Sequence, residues 1–139
     1  MTKQRDTSTN YYHLSQSGRI KIAVPKVSSM AVPSFEDMSI PRVSFAPSID
    51  QCISALIPAV RTIFYVYVPE DLKNFQIYKP KIYQVRDCKE TGEVWSLKRV
   101  RVKRIGKIKI TKSLGYEKHK NYRGVFHIHR YDWEWVEKY

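Results

Sequence analysis

The stretch from residue 42 to residue 57 constrains the fold more than any other part of the sequence, because an apolar strand leads there into a helix with chemically marked ends. Ser48 and Gln51 form a capping box at the helix start, and Pro58 cannot continue the backbone hydrogen bonds. Apolar side chains recur at the spacing of one helix face, at Ile49, Cys52, Ile53, Leu56 and Ile57. The sequence therefore predicts a short buried strand followed by a helix that packs on a sheet.

Further strand signals are spread along the chain. Thr62 to Val68 is β-branched or aromatic throughout and apolar on both faces, which predicts a strand in the middle of a sheet. Weaker extended segments are predicted at residues 11–15, 20–24, 75–78, 81–85 and 93–97. Together these elements predict an α+β fold of mainly antiparallel, twisted sheets with one well-defined helix.

The segment from Lys98 to Lys112 is strongly basic, with 8 Lys or Arg among its 15 residues. Apolar residues alternate with these cations on both sides of Gly106, which predicts a strand, a bend or bulge, and a second strand with one basic face. This basic stripe has two possible roles, a solvated strand face or a surface for nucleic acid or an acidic protein. The candidate contacts are Lys98, Arg99, Arg101, Lys103, Arg104, Lys107 and Lys109.

Length and composition predict a single domain over residues 11–139, after a flexible tail at residues 1–10. A basic, aromatic extension is expected from about residue 113, with a turn at residues 121–124 and an alternating final strand. Residues 26–41 lack periodicity and are expected to form a long loop. The formal net charge is +12, and most of it belongs to residues 70–139, which carry 18 Lys or Arg against 9 Asp or Glu.

Several classes of protein lack support in the sequence. No apolar run suits a secretion signal or a membrane span, so we expect a cytoplasmic protein that makes no membrane contact. Cys52 and Cys88 are too few for a disulfide scaffold and are expected to be reduced. His127 and His129 share one side of a strand, but with only His119 nearby no metal site is predicted. Motifs of P-loop, Rossmann and hydrolase enzymes are missing.

Three separated motifs carry a resemblance to a known enzyme fold. Tyr12 to Ser15 is similar to a His-Gly-Ser/Thr motif, with Leu14 in place of glycine. Val43 to Ala46 is similar to a Tyr-Phe-Ala motif before a helix, with Ser44 in place of tyrosine. Glu93 opens a later strand after a turn. In this order, the motifs resemble the ADP-ribosyltransferase fold, in the branch of poly-ADP-ribose polymerases and rifampicin-modifying transferases.

The resemblance implies an NAD site. His13 and Ser15 would bind the adenosine ribose and the nicotinamide amide, and Ser44 and Phe45 would line the same pocket. Glu93 would be the catalytic carboxylate, because positive charge that develops on a ribose as nicotinamide leaves requires a nearby anion.

Each motif residue also has a purely structural explanation. His13 can be a polar residue at a strand end, Ser44 a small residue under the helix, and Glu93 a surface partner of Lys89, Lys98 or Arg99. The leading hypothesis is an ADP-ribosyltransferase-like protein that binds NAD or a related adenine nucleotide and transfers ADP-ribose to a macromolecular acceptor. The alternative is a non-enzymatic basic protein that binds nucleic acid or an acidic partner, as would suit a phage or mobile-element protein acting on a host system.

Overall fold

The computed structural model describes residues 10–27, 37 and 39–139. These residues form seven strands and two helices. The strands are β1 (His13–Ser15), β2 (Ile22–Ala23), β3 (Val43–Phe45), β4 (Ile63–Pro69), β5 (Val94–Ser96), β6 (Val100–Asn121) and β7 (Gly124–Lys138). The helices are α1 (Ile49–Leu56) and α2 (Cys88–Thr91). All of the strand pairs are antiparallel, which confirms the predicted strand-rich α+β class.

The larger sheet has the strand order β1-β4-β6-β2. β2 pairs with the first residues of β6, and β7 pairs with β6 from Gly106 onward. β4 lies between β1 and β6, as its apolar residues on both faces predict. Val66 and Tyr67 alternate between the two faces of this strand, and both are completely buried. The core is therefore divided by the sheet into two main apolar clusters.

The smaller sheet consists of β3 and β5. It is joined to the larger sheet where Tyr12, just before β1, exchanges two backbone hydrogen bonds with Ala46, just after β3. The spatial sequence β5, β3, β1 and β4 thus runs continuously across the molecule.

Helix α1 confirms the predicted capping. The Ser48 hydroxyl oxygen accepts a hydrogen bond from the Gln51 backbone N–H at 3.1 Å and donates to the Gln51 side chain at 3.0 Å. At the other end, Ile57 adopts a left-handed conformation with φ of 48° and donates its N–H to the Ile53 carbonyl. The helix therefore ends at Leu56, two residues before Pro58, so proline does not have to fit a helical backbone.

The longest element is the β6–β7 hairpin, which begins to turn at residues 122–123. The Asn121 side chain accepts a hydrogen bond from the Arg123 N–H in this turn, and Gly124 takes a φ of 110°. The hairpin crosses α1, where the Trp133 indole donates to Asp50 Oδ1 at 2.8 Å. The residues from 113 onward, expected as an extension, thus continue β6 and return along it.

One prediction for the region before β5 is wrong, and one short helix there was not predicted. Residues 81–85 are not extended, because Gln84 and Val85 both donate their N–H groups to the Lys81 carbonyl and close a turn. The short helix α2 follows, with Gly92 as its left-handed C-cap, and periodicity over four residues is too short to be recognised.

Some expectations fall on residues outside the described part of the chain. The predicted tail is represented only by Asn10, and most of the predicted loop at residues 26–41 lies at positions 28–36 and 38. Within the described residues, no helix is long and apolar enough to cross a membrane.

Candidate functional site

The three motif strands lie side by side, with β3 between β1 and β5. Ser44 pairs with Trp95 and Phe45 with Val94 along the β3–β5 ladder. On the other side of β3, the His13 imidazole Nδ1 donates a hydrogen bond to the Ser44 carbonyl oxygen at 2.8 Å. A carbonyl can only accept, so Nδ1 carries the proton and the neutral ring has its acceptor at Nε2.

The imidazole of His13 lies among aromatic rings. Its centroid is 5.6 Å from that of Phe45 and 6.5 Å from that of Tyr67. Burial lowers the pKa of His13 from the usual 6.5, the hydrogen bond to Ser44 opposes this shift, and the charge of Lys26 adds to it. His13 is therefore neutral at physiological pH.

Ser15 lies two residues further along β1, at the edge of the larger sheet. Its hydroxyl oxygen accepts a hydrogen bond from the Ser17 backbone N–H at 3.0 Å, which stabilises the turn after the strand. It pairs with Tyr65 of β4. Ser15 therefore has a local structural role in addition to any contact with a ligand.

Glu93 is positioned where β5 begins. Its carboxylate accepts a hydrogen bond from the Trp95 indole Nε1 at 2.5 Å, and the Trp95 ring is completely buried. This contact fixes the side of the strand on which the carboxylate lies. Because neighbouring strand residues alternate in direction, Val94 faces the opposite side, where it packs with Phe45.

His13 and Glu93 consequently lie on opposite sides of the three-strand layer. The His13 ring contacts Phe45, which packs with Val94, whereas the Glu93 side chain bonds to Trp95. The structure thus brings His13, Ser44 and Phe45 together, but it separates His13 from the carboxylate that the resemblance assigns to catalysis.

An open cleft of about 300 Å³ lies beside Glu93, at the shared end of the motif strands. Tyr11 precedes β1, Pro47 follows β3 and Gly92 precedes Glu93, so one lining residue comes from each strand end. Two lysines from the segment before β5 complete its charged lining. The full lining is Tyr11, Pro47, Lys79, Cys88, Lys89, Gly92, Glu93 and Val94.

In comparisons with known proteins, no family model, no curated protein and no solved structure matched this chain.

Sequence reasoning missed Tyr11, Lys79 and Lys89 as cleft residues. They come from separate segments, and only the turn at residues 81–85 and helix α2 bring the two lysines to the strand ends. The failure to predict that turn and helix therefore also hid this part of the site.

The cysteines are free and buried, as predicted. Cys52 Sγ donates to the Tyr12 carbonyl at 3.2 Å, and burial raises the pKa of its thiol to about 12. Burial also raises the pKa of Cys88, whose thiol donates to the Pro80 carbonyl. Both thiols therefore stay protonated near neutral pH and make poor nucleophiles.

No group of three or more metal-binding side chains is found among the residues that the structure describes. His127 and His129 share a side of β7, as predicted, and the Tyr116 ring packs against both, with centroids at 4.5 and 5.5 Å. These imidazoles thus pack in an aromatic cluster on the hairpin.

The basic stripe contains a β-bulge. Val66 of β4 pairs with Gly106, but Tyr67, its neighbour, pairs with Arg104. Ile105 is therefore an extra residue on β6, which confirms the irregularity predicted near Gly106.

The bulge distributes the stripe over both faces of the sheet instead of one. Arg104 and Lys107 lie on the same face, with their charged groups 5.3 and 5.7 Å from the Tyr65 ring centroid. Lys103 pairs with Val68, whose side chain alternates with that of Tyr67, and so faces the other way. The stripe therefore cannot act as one continuous surface.

The later cations of the stripe lie opposite acidic residues of β7. One of these register pairs is a direct ion pair, in which Lys107 Nζ is 3.6 Å from Glu137 Oε1. Opposite charges that face each other across strands stabilise the pairing. The three pairs are Lys107 with Glu137, Lys109 with Glu134 and Lys112 with Asp132.

The earlier cations have a different environment. Lys98, Arg99, Arg101 and Lys103 are exposed, and none of them forms an ion pair with another described residue. Arg104 is intermediate between the two groups, because its guanidinium donates to the Gly18 carbonyl at 2.7 Å. The cations toward the hairpin thus lie opposite carboxylates of β7, and at the beginning of the stripe Arg101 lies beside Glu70, whose backbone N–H donates to the Arg101 carbonyl at 2.9 Å.

Proposed function

We propose that the cleft at the strand ends binds NAD or a related adenine nucleotide, and that the protein is an ADP-ribosyltransferase-like enzyme with a macromolecular acceptor. The observation that carries this proposal is the neighbouring arrangement of the three motif strands, with Glu93 at their shared end beside an open cleft. The proposal of an ADP-ribosyltransferase-like fold rests on the same arrangement together with the resemblance of the motifs.

The lining of the cleft suits the chemistry of a dinucleotide. Lys79 and Lys89 supply positive charge for a pyrophosphate, and Tyr11 supplies an aromatic ring. The Glu93 carboxylate can accept a hydrogen bond from a ribose hydroxyl while it retains the bond from Trp95, because a carboxylate has several acceptor positions. A carboxylate held in this way also stabilises an oxocarbenium-like transition state without having to reorganise.

In this proposal His13 is a positioning residue. Its side chain holds the Ser44 carbonyl and so fixes β3, the strand between β1 and β5. The position of β3 in turn determines where Glu93 lies relative to Tyr11 and Pro47, because all three mark the ends of paired strands.

A thermal-shift titration with NAD and with ADP-ribose tests this site. Saturation at about a hundredfold excess over the Kd stabilises a protein by about 2.7 kcal/mol, which corresponds to a rise in Tm of about 10 °C for a domain of this size. We expect this rise for the unchanged protein. It should be largely lost in the double variant Lys79→Ala/Lys89→Ala, but not in Lys118→Ala/Lys120→Ala, which removes the same charge from the exposed hairpin.

The Glu93→Gln variant separates binding from turnover. Glutamine retains an acceptor for the Trp95 indole, so the variant should fold and bind, but ADP-ribose transfer should fall by about 10² to 10³. If neither nucleotide raises the Tm of the unchanged protein, the cleft is not a nucleotide site and the proposed function fails.

A further inference from the structure

Four exposed cations at the beginning of the basic stripe define a surface separate from the cleft. We propose that the open basic patch, formed by Lys98, Arg99, Arg101 and Lys103, binds the phosphate backbone of a nucleic-acid duplex. Within the stripe, Lys107 forms an ion pair with Glu137, and Lys109 and Lys112 lie opposite acidic residues of β7, whereas these four cations are exposed and form no ion pair with a described residue. This inference does not depend on the nucleotide cleft.

The geometry of the patch suits a repeated anion. Arg101 and Lys103 are alternate residues of one strand, so they share a face and lie about 6.8 Å apart. Arg101 lies between Ile22 of the short edge strand β2 and Glu70, whose backbone N–H donates to the Arg101 carbonyl at 2.9 Å. The two side chains can therefore contact separate phosphates of one backbone.

The other two cations border a cavity of about 260 Å³. Lys98 and Arg99 line it together with Asn74, Gln76 and Ser96. Asn74 is held by a hydrogen bond from its amide to Asp71 Oδ2 at 2.6 Å. Such a cavity, with two cations and several polar groups at its rim, can seat one phosphate group.

The chemistry favours a duplex over a protein or a single strand. Protein interfaces are centred on exposed aromatic anchors, and proteins that bind single strands stack bases on aromatic rings. The aromatic residues beside the patch, Phe75 and Trp95, are only 6% and 0% exposed. Contacts from flexible cations to phosphates, without base stacking, are typical of sequence-independent duplex binding.

Binding of a short fluorescent DNA duplex, measured by anisotropy between about 50 and 200 mM salt, tests the proposal. We expect the logarithm of the association constant to fall linearly with the logarithm of the salt concentration. The double variant Arg101→Gln/Lys103→Gln should weaken binding by about tenfold for each lost contact near 50 mM salt and reduce the slope by about 0.9 for each.

The matched control is Lys109→Gln/Lys112→Gln, which changes the net charge equally but removes cations that face Glu134 and Asp132. Its affinity and slope should stay close to those of the unchanged protein. Equal weakening of duplex binding by both double variants would mean that affinity follows net charge alone, and it would overturn the proposal that this patch is the binding surface. Lack of duplex binding at the lowest salt, or tighter binding of an acidic peptide than of the duplex, would also overturn it.

Discussion

At the scale of single residues, the protonation state of His13 is coupled to folding. Burial lowers the pKa of its imidazole in the folded protein below the value of 6.5 that an unfolded chain retains. Between these two pKa values the unfolded chain binds more protons, so the free energy of unfolding decreases as the pH falls below about 6.5. The loss amounts to about 1.4 kcal/mol for each pH unit until the folded-state pKa is reached.

Urea unfolding at about pH 7.5 and about pH 5.5 measures this loss. The control is His13→Asn, because an asparagine amide can still donate to the Ser44 carbonyl but does not titrate. We expect the unchanged protein to lose more stability between the two pH values than the variant does. The same loss in both proteins would show that His13 is not responsible.

At the scale of secondary-structure elements, the hairpin depends on a close contact at Gly106. A Cβ atom at this position would lie 2.5 Å from Trp135 Cζ3 and 2.5 Å from the Glu137 carbonyl oxygen. Gly106→Ala should therefore push β7 away from β6 and lower the free energy of unfolding by about 3 kcal/mol, the upper range for an overpacked core.

Gly115→Ala separates this clash from backbone strain. A Cβ atom at Gly115 would have no neighbour within 4 Å, but the φ of 87° is unfavourable for alanine. Its cost should be about 1 kcal/mol, measured by urea unfolding.

A second variant tests the contact with Trp135 directly. In the Gly106→Ala background, Trp135→Leu should cost less stability than it does alone, since it relieves the clash. If the losses of unfolding free energy from Gly106→Ala and Trp135→Leu simply add, position 106 and Trp135 are not in contact.

The elements also differ in how far the sequence determines them. The start of α1 follows from Ser48 and Gln51, three residues apart, so local chemistry is sufficient to predict it. The charge ladder of the hairpin is not local. Extending the pairing from the turn without interruption would place Lys109 opposite Val136, but the bulges shift it to Glu134. Unlike the bulge near Gly106, the register shifts between Ile110 and Lys112 and between Ser113 and Tyr116 were not predicted from the sequence, so the ladder could not be predicted.

At the scale of the whole molecule, residues distant in the sequence meet at both candidate surfaces. The strands β1, β3 and β5, which carry the three motifs, lie side by side, but the direction of each side chain depends on strand register. That register places His13 and Glu93 on opposite sides. The positions of these strands could thus be predicted from the sequence, but the shape of the site, which depends on their register, could not.

The hairpin is an integral part of the core, and removing it should abolish folding. A chain that ends at Lys112 would lack β7, whose Tyr131, Trp133 and Trp135 pack against the core cluster around α1. It would also expose Ile108 and Ile110, which are completely buried. Truncating a single buried tryptophan typically costs about 3 to 5 kcal/mol, and a whole domain is stable by about 5 to 15 kcal/mol.

We therefore expect the chain of residues 1–112 to show no cooperative unfolding transition by circular dichroism. The control lacks only Tyr139, whose backbone N–H donates to the Ile105 carbonyl at 3.0 Å, and should lose about 1 kcal/mol. If the chain of residues 1–112 instead unfolds cooperatively at a similar temperature, the region from residue 113 is an appendage to an independently stable domain. Cooperative loss of the whole structure would mean that β7 and α1 stabilise the strands that carry both candidate surfaces.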